Sequence, residues 1–117
     1  MAASEEEIYR AIPHRPHFLW VDRIVARTTG TIETERDIPE NLDIFVGHYP
    51  DRPIMPGVLL CEAIFQSGAL LLSLAHNEGA IRLEQVGPAW FMKGSLKVKG
   101  KSAVGVNCAC ALTENVN

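Results

Sequence analysis

Cysteine is scarce in this chain. The 117 residues hold Cys61, Cys108 and Cys110 and no others. An odd count without a CxxC spacing supplies neither a disulfide framework nor a zinc ligand set, so reduced thiols in a cytoplasmic protein are expected. Cys108 and Cys110 alternate with Ala109, a strand-like spacing that suits core packing. Positive charge is also short. Eleven Lys and Arg against 14 Asp and Glu leave a net charge of -3, which gives no general attraction to nucleic acid or to an anionic lipid surface. The N-terminal Met-Ala-Ala-Ser-Glu-Glu-Glu lacks the basic-then-apolar order of a signal peptide. The longest charge-free apolar run, AIFQSGALLLSLA at 63–75, has 13 residues, too few to cross a bilayer, and no membrane association is expected. Repeats, low-complexity tracts and long linkers are missing too. What remains is 47% hydrophobic and 21% charged. That is the composition of a globular chain, here one domain with a modest core.

Residues 4–11 predict a short helix, with Ser4 as N-cap and acidic residues in the first turn. Pro13 and Pro16 then force an extended or turning segment. FLWVDRIVART, 18–28, is aromatic and β-branched and predicts a strand. TGTIETERDIP, 29–39, alternates Ile32, Thr34 and Arg36 with Glu33, Glu35 and Asp37, so the two should form an antiparallel hairpin turning near Thr29-Gly30. Prolines 39, 50, 53 and 56 with Gly47 and Gly57 predict a shaped loop without regular structure over 39–57. Gly57 to His76 is free of proline and apolar on nearly every face, which predicts a helix enclosed on most sides. Asn77 and Gly79 can end it. Residues 81–98 predict a strand with a bend at Gly87-Pro88, KGK at 99–101 a turn, and 102–113 a last strand. The expected fold class is α+β, a curled antiparallel sheet wrapped around one long central helix.

Two residues in this plan ask for chemistry. His48 lies in the proline-rich loop just ahead of the long helix. A loop histidine is usually held by its own loop, but imidazole is also the side chain best suited to act as a base at neutral pH. Glu62 sits inside the apolar helix and shares a stripe with Gln66, Ala69 and Ser73. A Glu–Gln pair at that spacing is a common solvated feature. If the stripe is buried, desolvation favours the protonated carboxyl and makes Glu62 an acid. Gly57 opens the helix, where first-turn N–H groups have no acceptor within the helix and the dipole is positive. Base, acid and oxyanion donors together suit proton abstraction beside a carbonyl followed by loss of a leaving group.

GHYPDRPIMPGVLLCEAIFQ, 47–66, resembles the signature of the 3-hydroxyacyl-acyl-carrier-protein dehydratases of bacterial fatty-acid synthesis, a hot-dog-fold family. IPHRPHFLWVDRI, 12–24, is similar to that family's N-terminal motif through Pro13-His14-Arg15 and Phe18-Leu19-Trp20-Val21-Asp22-Arg23. CACAL resembles its closing strand. The resemblance is good over 10–76 and looser over 81–112. It implies that His48 removes the α-proton of a 3-hydroxyacyl thioester and that Glu62 helps the hydroxyl leave as water. It implies that Gly57, with Val58 and Gln66, binds substrate, the Gly57 N–H polarising the thioester carbonyl. No metal or redox cofactor is implied. The two catalytic residues would come from different subunits of a homodimer, often packed as a trimer of dimers. An acyl carrier protein would deliver the acyl chain on its phosphopantetheine arm into an apolar tunnel at the dimer interface.

One departure stands out. Several tens of residues separate the helix from the next strand in that family, and here HNEGA, 76–80, stands in their place. Either a segment is missing from this sequence or the deletion is real; the first is expected, because so few strands cover a long apolar helix poorly. His14, His17, His48 and His76 show no metal-ligand spacing, so His14, His17 and His76 are assigned structural or surface roles. Trp20 and Trp90 are expected in packing. Lys93, Lys97, Lys99 and Lys101 form a solvated face or, alternatively, a contact for an acidic carrier, together with Arg23 and Arg27. Two other functions fit the same fold: a thioesterase, with Glu62 activating water, and a non-catalytic acyl-binding subunit. Release of free thiol would mark the thioesterase, since elimination keeps the thioester.

Overall fold

A computed structural model of the chain describes residues 3–39, 41–48, 51, 55–78, 90–98 and 101–110. The first element, α1 (Ala3–Ala11), carries Glu5 and Glu6 in its first turn and Arg10 in its last, each on the side its charge favours. The side chain of Ser4, the expected N-cap, is outside the described residues. Arg15 closes the far end. Its guanidinium donates to the carbonyls of Tyr9 (2.8 Å), Ile12 (2.9 Å) and His14 (2.7 Å) and lies 4.4 Å from the Tyr9 ring centroid. Carbonyls that the helix leaves without partners are thereby satisfied, and the chain leaves at a fixed angle.

The strand expected over 18–28 is shorter. Residues 18–22 are outside the strand, and β1 is Arg23–Arg27. The reason lies in their hydrogen bonds. Trp20 N–H donates to a helix side chain, Gln66, rather than to a neighbouring strand. Leu19, Trp20 and Val21 are all buried in succession, where a half-buried strand would alternate. The backbone joins the ladder at Asp22, whose N–H donates to Glu35 O at 2.8 Å. β1 pairs antiparallel with β2 (Ile32–Glu35), from Arg23 opposite Glu35 to Arg27 opposite Ile32, with a bulge at Val25. The turn is knotted by Thr28: its N–H donates to Thr31 O at 2.9 Å, and its Oγ1 meets Thr31 Oγ1 at 2.7 Å. The expected hairpin is therefore present, with its turn at Thr28–Thr31.

The long helix α2 runs Gly57–Asn77. Glu78 ends it, donating its N–H to Leu74 O at 3.0 Å, and its carboxylate pairs with Arg27 of β1. Arg27 thus ties the first hairpin to the helix end. Gly79, the other expected stop, is outside the described residues. The helix is buried from Ile64 onward, at Ile64, Gln66, Gly68, Leu70, Leu71, Leu72, Leu74 and Ala75. Leu70 and Leu74 join Ile8, Ile12, Leu19 and Val21 in one cluster beneath α1 and β1. Each fully buried leucine there contributes about 2 kcal/mol. The first two turns hold no buried residue, with Val58 77% exposed, and further along Phe65 also faces outward, 39% exposed. A helix enclosed over its whole length was expected; within this chain only the later turns are. At 21 residues, with a mean hydropathy of 1.8 over its most apolar 18 residues, the helix is also long and apolar enough to cross a membrane, which the 13-residue run argues against. Its contacts with α1 and both hairpins, and a buried glutamine, are those of a core helix.

The second hairpin is β3 (Trp90–Val98) and β4 (Lys101–Cys110), antiparallel, with Trp90 opposite Cys110 and Met92 opposite Cys108. Along β3, Met92, Gly94 and Leu96 are half-buried while Lys93, Ser95 and Lys97 are exposed. That alternation marks a strand with one face on the core. The contact with α2 is close. A Cβ placed on Gly94 would collide with Ile64, and one on Gly68 would sit 3.1 Å from Met92 Sδ. Among the described residues the strands form two antiparallel two-stranded ribbons, both touching α2, in the expected α+β arrangement of antiparallel sheet and long central helix. The expected strand over 81–89 with its Gly87-Pro88 bend, the turn residues Lys99 and Gly100, and 111–113 are outside the described residues.

Candidate active site

Glu62 and Gln66 are successive polar residues on the same face of α2. Gln66 is 1% exposed and fully committed. Its Oε1 accepts from Trp20 N–H at 2.7 Å, and its Nε2 donates to Phe18 O at 2.9 Å and to Glu62 Oε1 at 3.1 Å. The Glu–Gln stripe is therefore an internal clasp and not a wet face. It binds the segment 18–20 to the helix and fixes the glutamate beside it. Glu62 itself is half-buried, its side chain 25% exposed.

The second neighbour of Glu62 is His14. Its Nε2 lies 3.8 Å from Glu62 Oε1. The imidazole is stacked on Phe18, with ring centroids 6.4 Å apart and planes at 18°. Its Nδ1 is buried and has no hydrogen-bond partner among the described residues. From the sequence His14 carried only a structural or surface role. The two residues are 48 positions apart, so no local spacing could join them.

His48 stands on a stepped loop. Leu42 N–H donates to Pro39 O (3.3 Å), Phe45 N–H to Leu42 O (3.0 Å) and His48 N–H to Phe45 O (3.4 Å). The middle of this stair is a 3-10 turn, Asp43–Val46. A loop without regular structure was expected. The stretch between Pro39 and Pro50 is free of proline, so its N–H groups can make these bonds. His48 is half-buried. Within the chain the structure brings Glu62, Gln66 and His14 together and holds His48 on this separate loop.

Gly57 opens α2 behind Pro56, whose side chain makes no capping bond. Leu59 and Leu60 N–H turn back to Pro56 O at 3.0 and 3.3 Å. The preceding amides of Gly57 and Val58 have no acceptor inside the helix. A Cβ on Gly57 would meet nothing within 4 Å, so there is open space beside the first residue of the helix. A cavity of about 300 Å³ among the described residues lies elsewhere, between α1 and the hairpin, lined by Tyr9, His17, Leu19, Asp22, Arg36 and Leu42 among others. It includes none of His48, Gly57 and Glu62. Of the lysine group, Lys93 and Lys97 are exposed on β3; Lys99 and the side chain of Lys101 are outside the described residues. Arg23 is occupied by Glu35 at 2.8 Å and Asp37 at 2.7 Å.

A long helix packed against antiparallel hairpins, with a glutamate clasped on its inner stripe, defines an α+β hot-dog domain. The chain belongs to the FabA-like domain family, whose profile matches residues 12–104. It is similar to the 3-hydroxyacyl-[acyl-carrier-protein] dehydratase FabZ of Acinetobacter baylyi, with 36% identity over 104 residues, 89% of this chain and 68% of that protein. Shorter alignments join it to the FabZ proteins of Anaeromyxobacter (49% over 67 residues, 56% of this chain and 42% of that one) and Herpetosiphon aurantiacus (46% over 68 residues, 57% and 48%). The chain spans about half the length of the Anaeromyxobacter and Herpetosiphon proteins that it matches.

Proposed function

We propose that this chain is a dehydratase that converts a (3R)-3-hydroxyacyl thioester of acyl carrier protein into the trans-2-enoyl thioester, in the cytoplasm. The observation that carries the reading is a family match that spans both His48 and Glu62, with Glu62 clasped by Gln66 beside a half-buried approach. His48 takes the α-proton. The electron pair left behind forms the Cα–Cβ double bond, the Cβ–O bond breaks, and the Glu62 carboxyl protonates the departing hydroxide to water. The amides of Gly57 and Val58, which have no acceptor within the helix, stabilise negative charge on the thioester oxygen. Gln66 serves substrate binding indirectly, since its own amide is spent on the clasp. His48 accepts one proton and Glu62 donates another, so the step as written calls on no metal or redox cofactor.

The site is completed by a second copy, in a homodimer that can pack further as a trimer of dimers. Val58 and Phe65, seven residues apart, share one face of α2 and are both exposed. A second copy laid there buries them and brings a partner His48 loop towards Glu62. Residues 1–117 act as a single hot-dog domain in this reading, and Lys93 and Lys97 offer a face for an acidic carrier. A short enoyl thioester tests it: hydration removes the conjugated absorbance while the thioester stays intact. Free thiol released without loss of the double bond would identify a thioesterase instead, and neither reaction would leave a binding subunit.

A further inference from the structure

We infer that His14 is a positioning residue for Glu62, one that decides which carboxyl oxygen carries the proton. Two nitrogens converge on the same oxygen: Gln66 Nε2 at 3.1 Å and His14 Nε2 at 3.8 Å both face Glu62 Oε1. Oε2 has no protein partner among the described residues. A carboxyl oxygen that accepts hydrogen bonds behaves as the carbonyl oxygen, so the acidic proton resides on the other one. Oε2 is thereby the delivering oxygen. At 3.8 Å the His14 contact is longer than a direct hydrogen bond; one water or a small closure on substrate completes it.

The setting of His14 fits this role better than packing alone. Its Nδ1 is buried and unpartnered, so the neutral ring places its proton on Nε2, towards the acceptor. A phenyl ring would stack on Phe18 equally well without a desolvated nitrogen. The backbone that carries the ring is also held on both sides. Arg15 grips the His14 carbonyl at 2.7 Å, and Gln66 holds Phe18 and Trp20 just beyond. The clasp that binds Glu62 therefore also sets the segment that carries its second neighbour.

This inference rests on Glu62 being the acid of the proposed reaction. The test compares His14→Phe and His14→Gln by steady-state hydration of a short enoyl thioester, by thermal melting, and by the 13C signal of the Glu62 carboxyl. His14→Phe is expected to keep the melting midpoint and KM while kcat falls about 10- to 100-fold, the usual loss when a group orienting a reacting residue is removed. His14→Gln, whose terminal NH2 can occupy the Nε2 position, is expected to recover most of kcat. The carboxyl signal should move in His14→Phe and return in His14→Gln. An unchanged kcat in His14→Phe, or an unmoved carboxyl signal, overturns the positioning role. A Glu62→Gln variant that keeps the full rate overturns the acid assignment itself, and the carboxyl signal still reports on the contact when activity does not.

Discussion

Gln66 Oε1 accepts the backbone N–H of Trp20 at 2.7 Å, a bond that crosses 46 residues and joins the segment ahead of β1 to the middle of the central helix. It takes the place that a neighbouring strand would occupy. The same side chain reaches Glu62, so folding and site geometry share one amide.

Gln66→Leu keeps the volume and deletes all three hydrogen bonds. Trp20 N–H is then left without its partner in a buried position. The expected cost is about 2–4 kcal/mol, taking about 1–3 for each buried group left unsatisfied. Urea unfolding followed by tryptophan fluorescence measures it. A loss under 0.5 kcal/mol would mean that water replaces the clasp.

The packing of β3 on α2 gives a coupled pair. Gly94→Ala drives a methyl into Ile64, and overpacking of this kind costs about 1–3 kcal/mol. Ile64→Ala alone costs about 2–5 kcal/mol. Combined, the two should cost less than their sum, because the truncated side chain makes room for the new methyl. Additive losses would show that the ribbon moves away from the helix rather than resting on Ile64.

Acid should unfold the chain partly through its surface clamps. The hydrogen bond from Arg23 holds the Asp37 carboxyl below its usual range, and that from Arg27 does the same for Glu78. Both groups prefer to be ionised in the folded state. Their contribution is present above the ordinary carboxylate pKa of about 4 and disappears as pH falls through the lowered folded values. Asp37→Asn and Glu78→Gln should reduce stability at pH 7 slightly, as exposed pairs do, and should flatten the loss below pH 4. Melting curves from about pH 6 to pH 2 decide it; an unchanged acid limb counts against these pairs.

His48→Ala and Glu62→Gln should each lower enoyl hydration by about 10²- to 10⁴-fold without unfolding the chain. Mixing the two inactive variants should restore part of the activity, since a dimer built from one of each can carry one intact His48–Glu62 pair. Absence of recovery in a mixture shown to exchange subunits would place both groups in one chain.

The first hairpin and the long helix were legible in the sequence, and His48 and Glu62 stood out there as candidates, because each depends on local chemistry. Period-two alternation, turn residues and proline-free apolar runs are written in consecutive positions. Trp20 shows where that stops. Its aromatic, β-branched neighbourhood argues for a strand, and only a side chain 46 residues away explains why the ladder begins later. His14 illustrates the same limit in the site. Gln66 was visible as half of a polar stripe, but whether that stripe met water or backbone depended on which segment folded across it. The 3-10 stair below His48 was hidden by the prolines around it, although the gap between Pro39 and Pro50 was its signal.

The uneven covering of α2 should also appear as a gradient in time. Opening one end of this helix disturbs little, while opening the other breaks the shared core. Backbone amides near Val58 and Leu59 should therefore exchange with deuterium long before those near Leu70 and Leu74. The turn that carries Gly57 and Val58 is thus the loosest part of the rod.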